Sequence, residues 1–380
     1  MFKRYSYLPA IAGALLVLAF ISAGMIAQEA AHLAKTYEPT FTLVDQYPSP
    51  VIARTSPGAE GTEYGFEGGS VIKLEGSYHL FTTEMLPGPL GVKTRLAHWS
   101  SPDRIHWKRV ATLYASSGDF TGKDPRASLW APMPVYNIGE GRWNLFYVAY
   151  RCAPDTKTAW RGNFEGRIWR AVSKVKGYGG IGGPYEDVGV ILEPDVHSQP
   201  WEGLQGTDSF FPYHAGKHWL GFYGSANSEH LPMEHWRVGL AEAPALAGPW
   251  KRMGEGNPVD LEKRFAENPI VIRLENGYYV VVYDNDVEYS NTIGYSYSAP
   301  GDGVHWARGR QLVVQPKGTG FWADTVRTPL GLIPEGHGQY TLFYTGYQKP
   351  PASGLHLYAG VGFVTLKELA ASDTRVGVHP

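Results

Sequence analysis

The chain has 380 residues and a formal net charge of −2, so it lacks the basic surface that nucleic acids and anionic membranes attract. Its one cysteine, Cys152, can form no intramolecular disulfide and no thiolate metal cluster, and is interpreted as a small buried hydrophobe. Aromatic residues make up 13% of the chain, which is typical of short strands packed by rings and of surfaces that bind sugars.

The first residues have the pattern of a targeting segment. Lys3 and Arg4 precede an uncharged apolar run over residues 8–27, and small residues follow at sites suited to cleavage. The run is long for a signal peptide and near the minimum for a membrane span, so a cleaved signal and a retained anchor both stay open. Either predicts export to the periplasm or the extracellular side, with membrane contact only through residues 1–35.

After residue 40, short apolar runs alternate with Gly and Pro without an amphipathic helix pattern, which indicates an all-β protein. A four-stranded unit recurs along this region. Its first strand opens mostly on an acid, a Gly-containing turn leads to an aromatic second strand, and a turn ending on an aromatic residue precedes the fourth. The opening residues of the five units are Glu67, Met133, Asp208, Glu267 and Asp324.

Five such units predict a five-bladed β-propeller with four-stranded antiparallel blades, rather than a β-sandwich. The fifth unit lacks a fourth strand of its own. Residues 41–44 are expected to supply it, because this N-terminal strand would close the ring and leave no long open edge. Residues 36–380 are therefore predicted to form a single propeller domain.

The opening residues of innermost strands face the central funnel of a propeller, and four of the five here are acids in a chain with only 18% charged residues. Converging carboxylates repel one another, so at least one is expected to have a raised pKa. A protonated acid beside an ionised carboxylate is the equipment of glycoside hydrolysis. The alternative is that some acids cap turns or hold a structural calcium ion. No other cofactor and no catalytic metal site is indicated.

The blade pattern and its acids resemble the five-bladed propeller glycoside hydrolases of families 43, 32, 62, 68 and their relatives. Residues 206–210 around Asp208 and residues 266–270 around Glu267 are similar to the acid motifs of blades three and four in family 43. The resemblance implies that Asp208 tunes a pKa, that Glu267 is the general acid, and that Glu67 is the base or nucleophile.

The chain departs from the family pattern at two positions. Glu67 stands where the family usually has an aspartate, and a glutamate reaches one methylene further. Trp130, Ala131 and Pro132 match a blade-two motif whose next residue is aspartate, but Met133 follows here. An inverting enzyme is expected if the acid and base lie about 6.5–9.5 Å apart, and a retaining one at about 5–5.5 Å. The resemblance to the family favours inversion.

Further residues beside the opening positions are candidates for substrate binding. Arg327 is expected to lower the pKa of a neighbouring carboxylate or bind the substrate, unless it only forms a salt bridge with Asp324 or Asp208. The long connection over residues 152–166, with Trp160 and Arg161, is expected to shape the rim. The complete set of predicted substrate-binding residues is Phe66, Trp130, Met133, Trp322, Asp324 and Arg327.

Together these features predict an exported glycoside hydrolase acting on an oligo- or polysaccharide, at an arabinofuranoside, xyloside or related linkage. Two alternatives stay open at this point. One is a propeller that binds glycans without cleaving them, with Met133 as the sign of lost chemistry. The other is an enzyme of the same fold that transfers the glycosyl group to phosphate or to another sugar.

Overall fold

The computed structural model describes residues 37–158, 161–230, 232–285, 291–315, 322–323, 325–347 and 360–369. The chain divides into two units, and the unit Phe41–Glu368 contains every described strand. The other unit comprises the two chain ends, of which residues 37–40 and 369 are described. The predicted targeting segment therefore lies outside the described residues and stays a prediction. No described helix has the length and apolar character needed to cross a membrane.

The described strands form five antiparallel sheets of four strands each, which are named blades 1 to 5 in chain order. Blade 1 consists of β2 (Gly65–Leu74), β3 (Ser77–Met85), β4 (Thr94–Ser101) and β5 (Lys108–Ala115). Blade 2 consists of β6 (Ser128–Asn137), β7 (Arg142–Arg151), β8 (Phe164–Lys176) and β9 (Tyr185–Leu192), with one 3-10 turn at Tyr178–Gly182. Blade 3 consists of β10 (Asp208–Ala215), β11 (His218–Ala226), β12 (Trp236–Ala243) and β13 (Lys251–Arg252).

Blade 4 consists of β14 (Glu267–Arg273), β15 (Tyr279–Asp284), β16 (Thr292–Ser298) and β17 (Arg310–Val313). Blade 5 is built from β18 (Thr325–Gly336), β19 (Gln339–Tyr347), β20 (Gly360–Glu368) and β1 (Phe41–Gln46). The innermost strands contact one another in the order β2, β6, β10, β14, β18 and back to β2. This closed ring confirms the predicted five-bladed propeller.

The N-terminal strand closes the ring. β1 pairs antiparallel with β20, with Phe41 opposite Glu368 and Leu43 opposite Leu366. The pairing confirms the role predicted for residues 41–44, because it covers the backbone groups that β20 would otherwise present as an open edge.

Large hydrophobic side chains pack between the faces of neighbouring blades. Phe66 lies in the cluster between blades 1 and 5, has no exposed surface, and meets Trp99 edge to face with ring centroids 6.3 Å apart. Full burial leaves no ring face for a sugar, so the substrate-binding role predicted for Phe66 is wrong. The flat ring that suggested a sugar platform instead fills the wedge between two blades.

Each innermost strand carries a register shift with one residue at positive φ. The five residues are Gly68 (66°), Ala131 (50°), Ser209 (37°), Asn268 (51°) and Thr328 (22°). Residues other than glycine rarely adopt positive φ, and β-bulges of this kind re-aim the side chains beside them. The positive φ therefore recurs at the same place in all five blades, directly after the residue that faces the funnel, and it strains the backbone in the four blades where that place is not glycine.

The bulges correct the alignment of two blades. The residues preceding them are Glu67, Trp130, Asp208, Glu267 and Arg327. The funnel position of blade 2 is thus Trp130 and not Met133, which pairs with Phe146 inside the sheet and is 1% exposed. In blade 5 the funnel position is Arg327, whereas Asp324, predicted to open that strand, lies outside the described residues.

Candidate active site

The five bulges converge on one cavity of about 520 Å³. All five residues that precede the bulges line it, namely Glu67, Trp130, Asp208, Glu267 and Arg327. The volume lies in the range of small-molecule sites. The β-bulge that recurs in every blade therefore brings one aromatic ring, one guanidinium and three carboxyl groups to the wall of the same cavity.

A fourth carboxyl group lies beside the three predicted ones. Glu67, Asp208 and Glu267 are each less than 10% exposed, and so is Asp284. Asp284 ends β15 directly opposite Glu267 in the hairpin of blade 4. Asp284 was not predicted from the sequence, although its position at the end of an apolar strand that pairs with the Glu267 strand is a usable signal.

Arg327 is the cation of this cluster. Its Nη2 donates a hydrogen bond to Glu267 Oε2 at 2.9 Å. Its Nε lies 3.1 Å from Glu67 Oε1, an ion pair without the alignment of a hydrogen bond, and 3.9 Å from Asp284 Oδ2. The guanidinium also lies 5.7 Å from the centre of the Phe265 ring. Two nitrogens of one rigid fork thus contact the carboxyl groups of two different blades.

The balance of charge raises the pKa of Glu267 well above its usual range. Burial is the main cause, and the charges of Asp208, Asp284 and Glu67 add to it, while Arg327 acts in the opposite direction. One guanidinium cannot neutralise four buried carboxyl groups, so a proton on one of them relieves the repulsion. Glu267 is the carboxyl group on which these effects converge, and it is the one expected to keep its proton.

Asp208 and Asp284 have pKa values raised less far. Burial raises the pKa of each to about 6, against opposing hydrogen bonds. The Tyr150 hydroxyl donates to Asp208 Oδ1, whereas Oδ2 of the same carboxyl group has no hydrogen-bond partner among the described residues. Asp284 Oδ2 accepts from Asn268 Nδ2 at 3.0 Å. Both aspartates are therefore expected to be largely ionised at neutral pH, which keeps the pKa of Glu267 high.

The residues at positive φ also tie the blades together. Ser209 Oγ of blade 3 donates to Asn268 Oδ1 of blade 4 at 2.8 Å, and Asn268 passes the connection on to Asp284. The Ala131 backbone N–H of blade 2 donates to Thr83 Oγ1 of blade 1 at 3.0 Å. These bonds fix the relative positions of the carboxyl-bearing strands, which a site built across several blades requires.

Aromatic side chains form part of the cavity wall. Trp130 lines it with its Nε1 donating to Ser128 Oγ at 2.5 Å, so the ring is held in place at the position predicted for it. Trp236, which the sequence analysis did not single out, lines it as well. Trp322 does not line this cavity. It stacks on Tyr344 within blade 5, where Gly362 leaves room for its ring, so its predicted substrate-binding role is replaced by packing.

Metal binding receives no structural support within the described ranges. There, no group of three or more His, Cys, Asp or Glu side chains is arranged to hold an ion. Glu67, Glu267 and Asp284 instead share the guanidinium of Arg327. A structural calcium ion therefore stays a prediction from the sequence alone.

No family model and no curated protein matches the chain. Solved structures match it over most of its length. A family 117 glycoside hydrolase from the marine bacterium Zobellia galactanivorans covers 91% of this chain and 93% of its own, with a TM-score of 0.57 and 14% identity. A protein described as a glycoside hydrolase covers 84% and 92%, with a TM-score of 0.61 and 16% identity.

An α-L-arabinofuranosidase from Lactobacillus brevis covers 83% of this chain and 92% of its own, with a TM-score of 0.54 and 13% identity. The fold is that of the five-bladed propeller glycoside hydrolases. The resemblance predicted from the blades and their acids is confirmed at the level of the fold. At these identities the likeness extends to the fold, so the chemistry has to be argued from the cavity.

Replacing Asp284 by Asn is expected to lower the pKa of Glu267. The substitution removes a negative charge that raises this pKa and keeps an oxygen that can accept from Asn268. The measurement is a ¹³C NMR titration of the protein labelled at glutamate side-chain carboxyl carbons, with Glu267→Gln identifying the resonance. An unchanged titration of Glu267 in Asp284→Asn would show that the two groups are not coupled.

Proposed function

We propose that this protein is a glycoside hydrolase that cleaves O-glycosidic bonds of an oligo- or polysaccharide, at an arabinofuranoside, xyloside or related linkage. One observation carries the proposal. A buried glutamate with a strongly raised pKa, Glu267, shares one cavity and one guanidinium with a second glutamate, Glu67. The structural neighbours, which are named as glycoside hydrolases, support the same chemistry.

The proposed roles follow from the surroundings of each carboxyl group. Glu267, held in its acid form by burial, protonates the oxygen of the departing sugar. Glu67, paired with Arg327, acts as the base that activates a water molecule. Asp208 keeps the pKa of Glu267 high through its negative charge and is itself positioned by Tyr150. Trp130 offers an apolar surface to the sugar ring.

We propose that the reaction inverts the anomeric configuration. The resemblance to family 43 favours this outcome, in which Glu67 acts as a base on a water molecule while Glu267, bound to another nitrogen of Arg327, protonates the departing sugar. ¹H NMR of the first product formed, before mutarotation, is expected to show the anomer opposite to that of the substrate. Appearance of the same anomer would instead assign Glu67 as a nucleophile.

Sugar release by the full chain tests the proposed activity. The panel consists of arabinans, xylans, fructans, galactans and aryl glycosides, and Glu267→Gln is assayed alongside. Release by the wild type that disappears in the variant supports hydrolysis and names the linkage. Binding of a glycan without release by either protein would contradict the hydrolase and support a binding propeller. Product that forms only with phosphate or a sugar acceptor would show glycosyl transfer.

A further inference from the structure

The loop that follows β7 forms one side of the cavity, and its backbone is held at Arg161 and at the next residue, Gly162. Cys152 Sγ donates to the Gly162 carbonyl at 2.9 Å, and the Ala153 N–H donates to the Arg161 carbonyl at 3.0 Å. A Cβ added at Gly162 would lie 3.2 Å from the backbone of Gly91, so this loop lies directly against the loop between β3 and β4. Arg161 is therefore held at the cavity wall.

Arg161 is exposed, and its guanidinium has no hydrogen bond or ion pair with any described residue. Its neighbours in the cavity wall include the apolar side chains of Leu90 and Phe120. By contrast, Arg151 at the start of the same loop pairs with Glu165 at 2.9 Å, and Arg327 on the cavity floor contacts three carboxyl groups. The wall thus presents a guanidinium without an anion.

Two buried polar atoms of other residues that line the cavity also lack partners among the described residues. Asn163 Oδ1 is an acceptor and Trp236 Nε1 a donor, both residues line the cavity, and neither atom has a hydrogen bond among the described residues. Trp236 Nε1 and Asp208 lie on either side of Gly224. A Cβ built on Gly224 would lie 3.4 Å from Trp236 Nε1 and 3.5 Å from Asp208 Cβ, so the indole nitrogen is close to this aspartate. Buried polar atoms without partners are rare and costly, so a ligand with hydroxyl groups would satisfy both.

We propose that the cavity takes a sugar carrying an anionic substituent, either a carboxylate or a sulfate ester, that pairs with Arg161. This inference rests on the proposed glycoside hydrolysis and names its substrate class. The floor of the cavity is acidic and repels an anion, whereas the wall at Arg161 offers a planar fork that matches carboxylate and sulfate oxygens. Asn163 Oδ1 accepts a hydrogen bond from a hydroxyl of the same sugar, and Trp236 Nε1 donates to another.

The test compares matched pools of oligosaccharides. Glucuronoxylan oligosaccharides are assayed before and after reduction of their carboxyl groups, and sulfated galactan oligosaccharides before and after desulfation. Arg161→Ala is expected to lower kcat/KM on one acidic pool about tenfold and to leave the matched neutral pool unchanged. A loss of kcat/KM on the glucuronoxylan pool would identify the substituent as a carboxylate, and a loss on the sulfated galactan pool would identify it as a sulfate. The control is Arg308→Ala, which removes an exposed arginine outside the cavity wall.

Binding separates the failure of this inference from the failure of the proposed function. Glu267→Gln, with and without Arg161→Ala, is titrated with the same pools at low and high salt. We expect Arg161→Ala to weaken binding of the acidic pool only, and added salt to reduce the wild-type preference for it. Equal effects on acidic and neutral pools, or no binding of either acidic pool, would overturn the inference. Hydrolysis of neutral pools would meanwhile leave the proposed function intact.

Discussion

Glu267→Gln is expected to lower kcat/KM about 10²- to 10⁴-fold on a glycoside with an alkoxide leaving group, and far less on a dinitrophenyl glycoside. The alkoxide needs a proton from Glu267 as the bond breaks, whereas dinitrophenolate leaves without one. Glutamine fills the same space and still accepts the hydrogen bond from Arg327, so the variant removes mainly the proton. The measurement is the rate of each substrate with the wild type and the variant.

Two comparisons make the result specific. Glu67→Gln is expected to slow both substrates, because a base that activates water is needed whatever group departs. Glu275→Gln makes the same change in an exposed turn after β14 and is expected to leave both rates unaltered. If Glu267→Gln slowed the dinitrophenyl glycoside as much as the alkoxide substrate, Glu267 would not be the general acid.

Arg327→Met is expected to destabilise the protein by about 3–5 kcal/mol at neutral pH, because it leaves buried carboxylates without their cation. The side chain of Arg327 is 19% exposed, so solvent screens these contacts only weakly. The loss is also expected to raise the pKa of Glu267 further, since Arg327 is the neighbour that lowers it. Urea denaturation of the variant and the wild type measures the difference in the free energy of unfolding.

The destabilisation has a defined pH dependence. The pKa values of Asp208 and Asp284 are raised to about 6 in the folded protein, so these groups cost stability as pH rises from their usual range through about 6. Arg327 stays charged throughout, and its removal therefore matters most above about pH 6, where the carboxylates are ionised. The difference in the free energy of unfolding between Arg327→Met and the wild type should become smaller towards about pH 4. An equal difference in unfolding free energy at about pH 4 and above about pH 6 would contradict the claim that Arg327 stabilises the protein by neutralising buried carboxylates.

Arg252→Met is the matched control for the catalytic part of this prediction. The side chain of Arg252 is 5% exposed, against 19% for Arg327, and it pairs with Glu202 at 2.8 Å, outside the residues that line the cavity. Its replacement is also expected to destabilise the protein, but to leave the pH dependence of kcat/KM unchanged. If Arg327→Met shifts the pH dependence of kcat/KM and Arg252→Met does not, then Arg327 affects the pKa of Glu267 directly, and the shift is not a consequence of lower stability.

The blade architecture was predictable from the sequence because its signals are local. Gly-containing turns such as Glu75–Gly76 and Asn276–Gly277 join apolar strands at regular spacing, and the unit recurs often enough to exclude coincidence. The closing strand was predictable for a related reason. The fifth unit has only three strands of its own, so its third strand needs a further strand to pair with. Residues 41–44 offer an apolar run for this at the other end of the chain.

The cavity was only partly predictable, because its composition depends on bulges and on contacts between blades. Met133 was aligned on the assumption of regular strands, and the bulge at Ala131 moved the funnel position to Trp130. Asp284 faces Glu267 only once β14 and β15 pair. Likewise Phe66 and Trp322 have the composition of sugar platforms, but their burial and stacking are set by blades far away in sequence.

The pH dependence of kcat/KM on an unactivated glycoside, measured for the wild type and Asp284→Asn, tests the central claim most directly. The account predicts a bell-shaped profile whose alkaline limb lies well above the usual range of a glutamate and moves to lower pH in Asp284→Asn, following the pKa of Glu267. A folded protein whose rate falls at the ordinary pKa of a glutamate, with no change in Asp284→Asn, would contradict the assignment of Glu267 as a buried general acid.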